Sequence, residues 1–240
     1  MISKGAAAVE RFIRTEWLIG PDKLSRLQQA TVAVFGLGGV GAAAVEGLAR
    51  TGIGNLVIVD HDRVSESNLN RQLIALTSTL GRLKVEVAAE RIKDINPVCQ
   101  VAAYPMFYDQ QHEETIFAHK IDYVVDAIDS VAAKLDLIEG CYRAQIPIVS
   151  AMGAGNKLDP GRLMVADISE THTCPLAKVI RVELRKRGIV KGIKTVFSDE
   201  QPLKVHKTEN GRHPPGSIAF VPPVAGYLLA SVVVRDLLAL

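Results

Sequence analysis

Gly36-Leu37-Gly38-Gly39-Val40-Gly41 constrains this chain more than any other stretch. It follows the apolar, β-branched run Thr31–Phe35 and opens a helical stretch, Ala42–Arg50, so it fits G-x-G-x-x-G at a strand-to-helix turn. Glycines let the backbone turn sharply and approach a phosphate closely, and the helix N-terminus offers unpaired N–H groups to the anion. Asp60 ends the next apolar strand (Asn55–Asp60), 19 residues past Gly41. A carboxylate there can accept hydrogen bonds from ribose hydroxyls. Taken alone these residues describe an adenine-nucleotide site, and an NAD-dependent oxidoreductase would satisfy them equally well.

The rest of the chain fits an α/β protein: a Rossmann-like, doubly wound, mostly parallel sheet with helices on both faces. Further strands are predicted at Val101–Tyr104, Tyr123–Ala127 and Pro147–Ser150. Between them lie helical stretches, Gly81–Ile95 with Val85, Ala88, Ala89 and Ile92 on one face, and Val131–Arg143. Continuous apolar strands alternating with helices are the pattern of a parallel sheet covered on both sides. Residues 6–29 read as two short helices broken at Gly20-Pro21-Asp22. After Gly161 the pattern changes to a strand (Leu163–Ile168), a basic helix (Leu176–Arg187), a mobile loop (Ser198–Gly216) and an apolar tail. Ser217–Val234 carries no charge, but Pro222, Pro223 and Gly226 interrupt it. A buried strand, a turn and a core helix are therefore expected there rather than a membrane span. The 240 residues are read as one domain, with a nucleotide-binding core at about 30–155 and a substrate-facing segment at about 156–240.

Charge and cysteine content exclude several classes. A net charge of +2 does not suit a wholly basic nucleic-acid wrapper. Three cysteines with no CxxC pair exclude a disulfide framework and a four-cysteine zinc site. The N-terminal stretch has no apolar run of the secretory kind, so a cytoplasmic protein is expected.

The polar run from Asp60 to Gln72 moves the reading beyond a dinucleotide. A triphosphate carries about four negative charges against about two for a diphosphate, and needs cations beyond the glycine loop. Arg71 and Lys84 supply two, and Asn68 adds a neutral donor. Each is also compatible with a solvated surface side chain. Past the fourth strand, Asp129 is placed to hold Mg²⁺ beside phosphates, whereas Asp126 is expected to point into the sheet or cap the next helix. Cys174, after His172, is the cysteine expected in a loop, where the histidine can lower its pKa; an incidental thiol is the plainer alternative. Cys99 and Cys141 lie in apolar settings.

In this order, Arg11-Phe12-Ile13-Arg14, the glycine loop, Asp60–Gln72, Gly81–Val85, Arg91–Pro97 and Asp126–Asp129 resemble the adenylating family of the ubiquitin-activating enzymes and the molybdopterin- and thiamine-biosynthesis adenylyltransferases. The resemblance implies that Gly36, Gly38, Gly39 and Gly41 hold ATP phosphates. It implies that Asp60 holds the ribose, with Asp62 and Gln72 also in the nucleotide site. Asn68, Arg71 and Lys84 would then bind phosphates and stabilise charge as pyrophosphate leaves, and Asp129 would hold magnesium. Arg14 looks like the arginine this family contributes across a homodimer interface, with a plain surface charge as the alternative. A monovalent cation is left open.

Residues 166–189 and 213–237 look like the branch of this family that dehydrates threonylcarbamoyladenosine in tRNA. In that branch the threonyl carboxylate is adenylated, and an internal attack closes a ring with loss of AMP. Ten Lys or Arg residues between 178 and 212 stand against four acids, which suits contacts to a tRNA backbone or, equally, a solvated helix face. The alternative is adenylation of a ubiquitin-like sulfur carrier's C-terminus, and a cysteine-desulfurase-system protein is a further candidate partner.

Overall fold

The computed structural model describes residues 10–204 and 215–240. The first strand, β1 (Thr31–Phe35), is buried on both faces, with Val32, Ala33, Val34 and Phe35 each at 0% exposure. It pairs in parallel with β2 (Asn55–Val59), which pairs with β3 (Gln100–Tyr104). On its other side it pairs with β4 (Tyr123–Asp126), which pairs with β5 (Ile148–Ala151). With β6 (Leu163–Asp167) and β7 (Lys194–Ser198), the order among the described residues is β3-β2-β1-β4-β5-β7-β6. The chain reverses direction of growth between β1 and β4, and this opens a crevice at the strands' C-terminal ends, where open α/β sheets bind ligands.

Two helices, α1 (Ile13–Ile19) and α2 (Pro21–Gln29), meet at Gly20 and precede the sheet. The helices α3 (Gly41–Thr51), α4 (Lys84–Ile95), α5 (Glu113–Phe117), α6 (Val131–Ala144) and α7 (Pro175–Lys186) follow in sequence. One face of the sheet packs α2, α3 and α4, and the other packs α5, α6 and α7. On α4 the apolar face is as expected: Val85, Ala88 and Ile92 are buried.

The C-terminal segment joins this sheet. β6 (Leu163–Asp167) runs antiparallel to β7 (Lys194–Ser198), and β7 runs parallel to β5. Sequence reading did not anticipate β7, whose short Thr-Val-Phe centre has polar ends. Its burial comes from its neighbours β5 and β6. The expected loop therefore begins only after Ser198. Its residues up to 204 lack regular structure, and 205–214, with His206, Lys207, Arg212 and His213, lie outside the described residues.

The apolar tail also departs from expectation. Ser217–Phe220 forms no strand, and a single helix, α8 (Val221–Leu238), starts at the prolines. Pro222 and Pro223 lie in the first turn, where the missing N–H has no intrahelical acceptor to lose, so they start the helix instead of breaking it. By composition α8 is long and apolar enough to cross a membrane, and half of it is buried against the protein. Its fit to α3 requires Gly226, because a Cβ there would stand 2.1 Å from the Val40 carbonyl oxygen. Asp236 of α8 accepts hydrogen bonds from the Tyr123 hydroxyl and the Lys194 ammonium, both at 2.6 Å, which ties the helix to β4 and β7.

Candidate active site

The glycine loop leaves β1 and enters α3 at the crevice. At Gly41 a Cβ would lie 1.7 Å from the Gly36 carbonyl oxygen, so the turn closes only without a side chain. Asp60 braces the loop from the end of β2. Its Oδ2 accepts the Leu37 N–H at 2.6 Å, and its Oδ1 accepts the Asp62 N–H at 2.7 Å. Each oxygen keeps a second lone pair for a ligand hydroxyl.

Segments 62–64 and 82–84 are drawn together by a short antiparallel bridge between Arg63 and Leu83 and by a hydrogen bond from the Lys84 N–H to the Asp62 carbonyl. This sets Lys84 at the first turn of α4, 4% exposed, with its ammonium 2.7 Å from Asp62 Oδ2 and 4.0 Å from Asp60 Oδ2. The solvated-surface reading of Lys84 is thus corrected: it is a buried cation between two carboxylates. Asn68 is buried and accepts the Ser65 N–H through Oδ1 at 3.1 Å. Arg71 donates to the Ser67 carbonyl at 2.8 Å and to Asn70 Oδ1 at 2.9 Å, with no carboxylate partner among the described residues. Gln72 is buried next to Arg71, and its Oε1 has no hydrogen-bond partner among the described residues.

These side chains line a cleft of about 720 Å³. Among the described residues the carboxylates along it are Asp60, Asp62 and Asp129. Asp60, His61 and Asp62 lie close enough together to suggest a metal group, but the two acids are engaged by Lys84 and backbone N–H groups. Asp129 is exposed and makes no hydrogen bond or ion pair among the described residues. A free carboxylate lining the cleft fits magnesium, which is commonly held by one or two carboxylates together with phosphate oxygens.

Asp126 points into the sheet, as expected, and has a partner that sequence reading did not foresee. It is fully buried and accepts hydrogen bonds from Lys134 Nζ at 2.7 Å, Ser150 Oγ at 2.6 Å and the Ile128 N–H at 3.0 Å. Lys134, also fully buried, donates further to the Ala151 carbonyl at 3.0 Å. The pair secures the turn from which Asp129 projects.

Cys174 lies, as expected, in irregular backbone, at the N-cap position of α7; it is 2% exposed and lines the same cleft. His172 contacts the Thr173 hydroxyl at 3.1 Å. Burial raises the Cys99 thiol to about 11 and moves Cys141 in the same direction, which suppresses both as nucleophiles. The basic stripe is partly neutralised: Arg187 pairs with Asp136 and Glu139, Lys186 with Glu183, and Lys194 with Asp236. Lys178, Arg185 and Lys191 remain exposed. Arg14 lies on α1, exposed and outside the cleft of its own chain, beside Trp17 and Leu18, which are 73% and 86% exposed.

Sequence reading also passed over Met106 and Phe107, which follow β3 and line the cleft beside Asp60. Phe107 is 47% exposed and meets the His61 ring edge-on at 5.3 Å, an open aromatic face where a base can stack. An aromatic just past the C-terminal end of a strand was the available signal.

Fold and cleft together define a nucleotide-binding enzyme of the Rossmann-like α/β class. The chain belongs to the ThiF family, whose model matches residues 11–239. It is 47% identical to the tRNA threonylcarbamoyladenosine dehydratase of Bacillus subtilis, over 96% of this chain and 95% of that protein. It is similar to the Escherichia coli tRNA N6-threonylcarbamoyladenosine dehydratase TcdA solved with AMP, with a TM-score of 0.91 and 36% identity over 100% of this chain and 97% of that one. The same E. coli protein solved with ATP gives a TM-score of 0.89 at 36% identity, again over 100% and 97% of the two chains.

Proposed function

We propose that this protein is an ATP-dependent dehydratase that cyclises N6-threonylcarbamoyladenosine in tRNA through an acyl-adenylate. The observation that carries this reading is the 47% identity to a dehydratase over 95% of that relative's length, so both halves of the chain take part in the match. Adenylation of a sulfur carrier would use the same first step, but the full-length likeness is to dehydratases.

In the first step a threonyl carboxylate oxygen attacks the α-phosphorus of ATP, a C–O–P bond forms, and pyrophosphate leaves. In the second, an atom of the ureido group attacks the acyl carbon, AMP leaves, and one N–H proton is released. The sum is loss of one water. Positioning and charge neutralisation supply most of the catalysis. The Gly36–Gly41 turn offers backbone donors, Asp60 the ribose acceptor, and Asn68, Arg71, Gln72 and Lys84 the contacts to phosphate, with Asp62 keeping Lys84 in place. Asp129 would hold magnesium, which would neutralise phosphate charge. Residues 1–240 act as one adenylation domain working in the cytoplasm. The exposed Arg14, Trp17 and Leu18 face of α1 is buried in a homodimer, so that Arg14 serves the partner's cleft.

Incubation with modified tRNA, ATP and Mg²⁺ should yield a nucleoside lighter by one water, read by mass spectrometry. Bound ATP with no such product would refute the substrate assignment. Asp129→Asn is expected to lower turnover about 100-fold while ATP binding weakens by less than about tenfold. A fully active Asp129→Asn variant would remove the metal assignment.

A further inference from the structure

Lys157 sits in the turn after β5, on the wall of the cleft away from Arg71 and Lys84, which follow β2. It is 3% exposed, and among the described residues its ammonium donates to one acceptor, the Ser198 carbonyl, at 3.2 Å. No carboxylate lies within 4.0 Å of it among the described residues. The acids near it are committed elsewhere: the two oxygens of Glu200 accept the Leu158 and Asp159 N–H groups at 2.9 and 3.0 Å, and Asp159 accepts the Gly161 N–H at 2.8 Å. Asp199 pairs with Arg162 at 2.7 Å.

The turn itself is held firmly. Asn156, at φ 59°, donates its N–H to the Gly216 carbonyl at 2.7 Å and accepts the Leu203 N–H at 2.8 Å. Among the described residues Lys157 is therefore a fixed, buried cation with unused donor capacity and no counter-ion within ion-pair distance. Burial pulls its pKa below the ordinary lysine value, against the opposing influence of Cys174, Glu200 and Asp199. A buried charge without a partner is costly, and an arriving anion relieves that cost. Cations on the opposite wall already serve the nucleotide phosphates, so the unmet anion is the one the second substrate brings.

We infer that Lys157 anchors the substrate carboxylate, pairing with it across the cleft and holding one of its oxygens in line with the α-phosphorus of ATP. This rests on the dehydratase reading. Lys157 stays protonated throughout: the carboxylate oxygen donates its electron pair to phosphorus, the bond to the β-phosphate oxygen breaks, and the negative charge departs with pyrophosphate.

The test uses the full chain with threonylcarbamoyladenosine-bearing tRNA. Lys157→Met is expected to reduce kcat/KM for modified tRNA about 100-fold, with ATP affinity within about threefold of wild type. Its melting temperature should be unchanged or higher, because methionine removes an unpaired buried charge, and Lys157→Arg should recover part of the activity. Wild-type kcat/KM in Lys157→Met, or equal losses of ATP affinity and thermal stability, would overturn the assignment alone. A wild-type protein that leaves modified tRNA unchanged would overturn the dehydratase reading and this assignment with it.

Discussion

Replacing Lys84 with methionine is expected to lower dehydration of modified tRNA by about 100- to 1,000-fold and to weaken ATP binding by at least about tenfold. Lys84 is the buried cation of the cleft that stands between two carboxylates, 2.7 Å from Asp62 and 4.0 Å from Asp60. Without it Asp60 and Asp62 face an incoming triphosphate with Arg71 as the remaining cation on that side of the cleft, so both binding and transition-state stabilisation fall. Lys84→Arg keeps the charge but adds a planar fork to a crowded position, and intermediate activity is expected. Titration with ATP and mass spectrometry of tRNA nucleosides measure the two effects separately. Unchanged turnover in Lys84→Met would show that its ammonium serves only to hold Asp62.

The second large effect is on folding. Lys134→Met should destabilise the protein by about 3–5 kcal/mol, because it leaves Asp126 as a buried carboxylate without its cation. Ser150 and the Ile128 N–H still donate to that carboxylate, at 2.6 and 3.0 Å, but neither carries charge. Adding Asp126→Asn to Lys134→Met removes the stranded charge and should restore much of the lost stability. Urea unfolding of the two single variants and the double variant measures the coupling. Strictly additive losses would mean that the two side chains do not act as a pair. Because the turn after Asp126 carries Asp129, the single variant should also lose turnover at temperatures where it remains folded.

What was legible in the sequence was local in origin. The strand-glycine-helix turn, the acid ending β2 and the apolar face of α4 each follow from residues near one another in the chain. Features set by distant partners were not legible. Lys134 and Lys157 look like ordinary surface lysines in sequence; their burial depends on Asp126, Ser150 and Ser198, which other strands supply. Lys194–Ser198 is too short and too polar at its ends to announce a strand, and its neighbours β5 and β6 make it one. Pro222 and Pro223 read as breakers because their place in a helix's first turn is not marked by the sequence around them. Cys174 lies in the loop expected of it, but its burial at the start of α7 is not marked by the residues around it.

The glycine loop is also backed from the far end of the chain. A Cβ on Gly39 would stand 3.0 Å from the Pro222 side chain, and Val40 and Ala43 receive Gly226 of α8. The phosphate cradle at residues 36–41 thus acquires its rear wall from a helix that begins at Val221. Nucleotide affinity would then report on the docking of α8, and a variant whose α8 cannot seat against Gly39 and Val40 would lose grip on ATP although every glycine of the loop is intact.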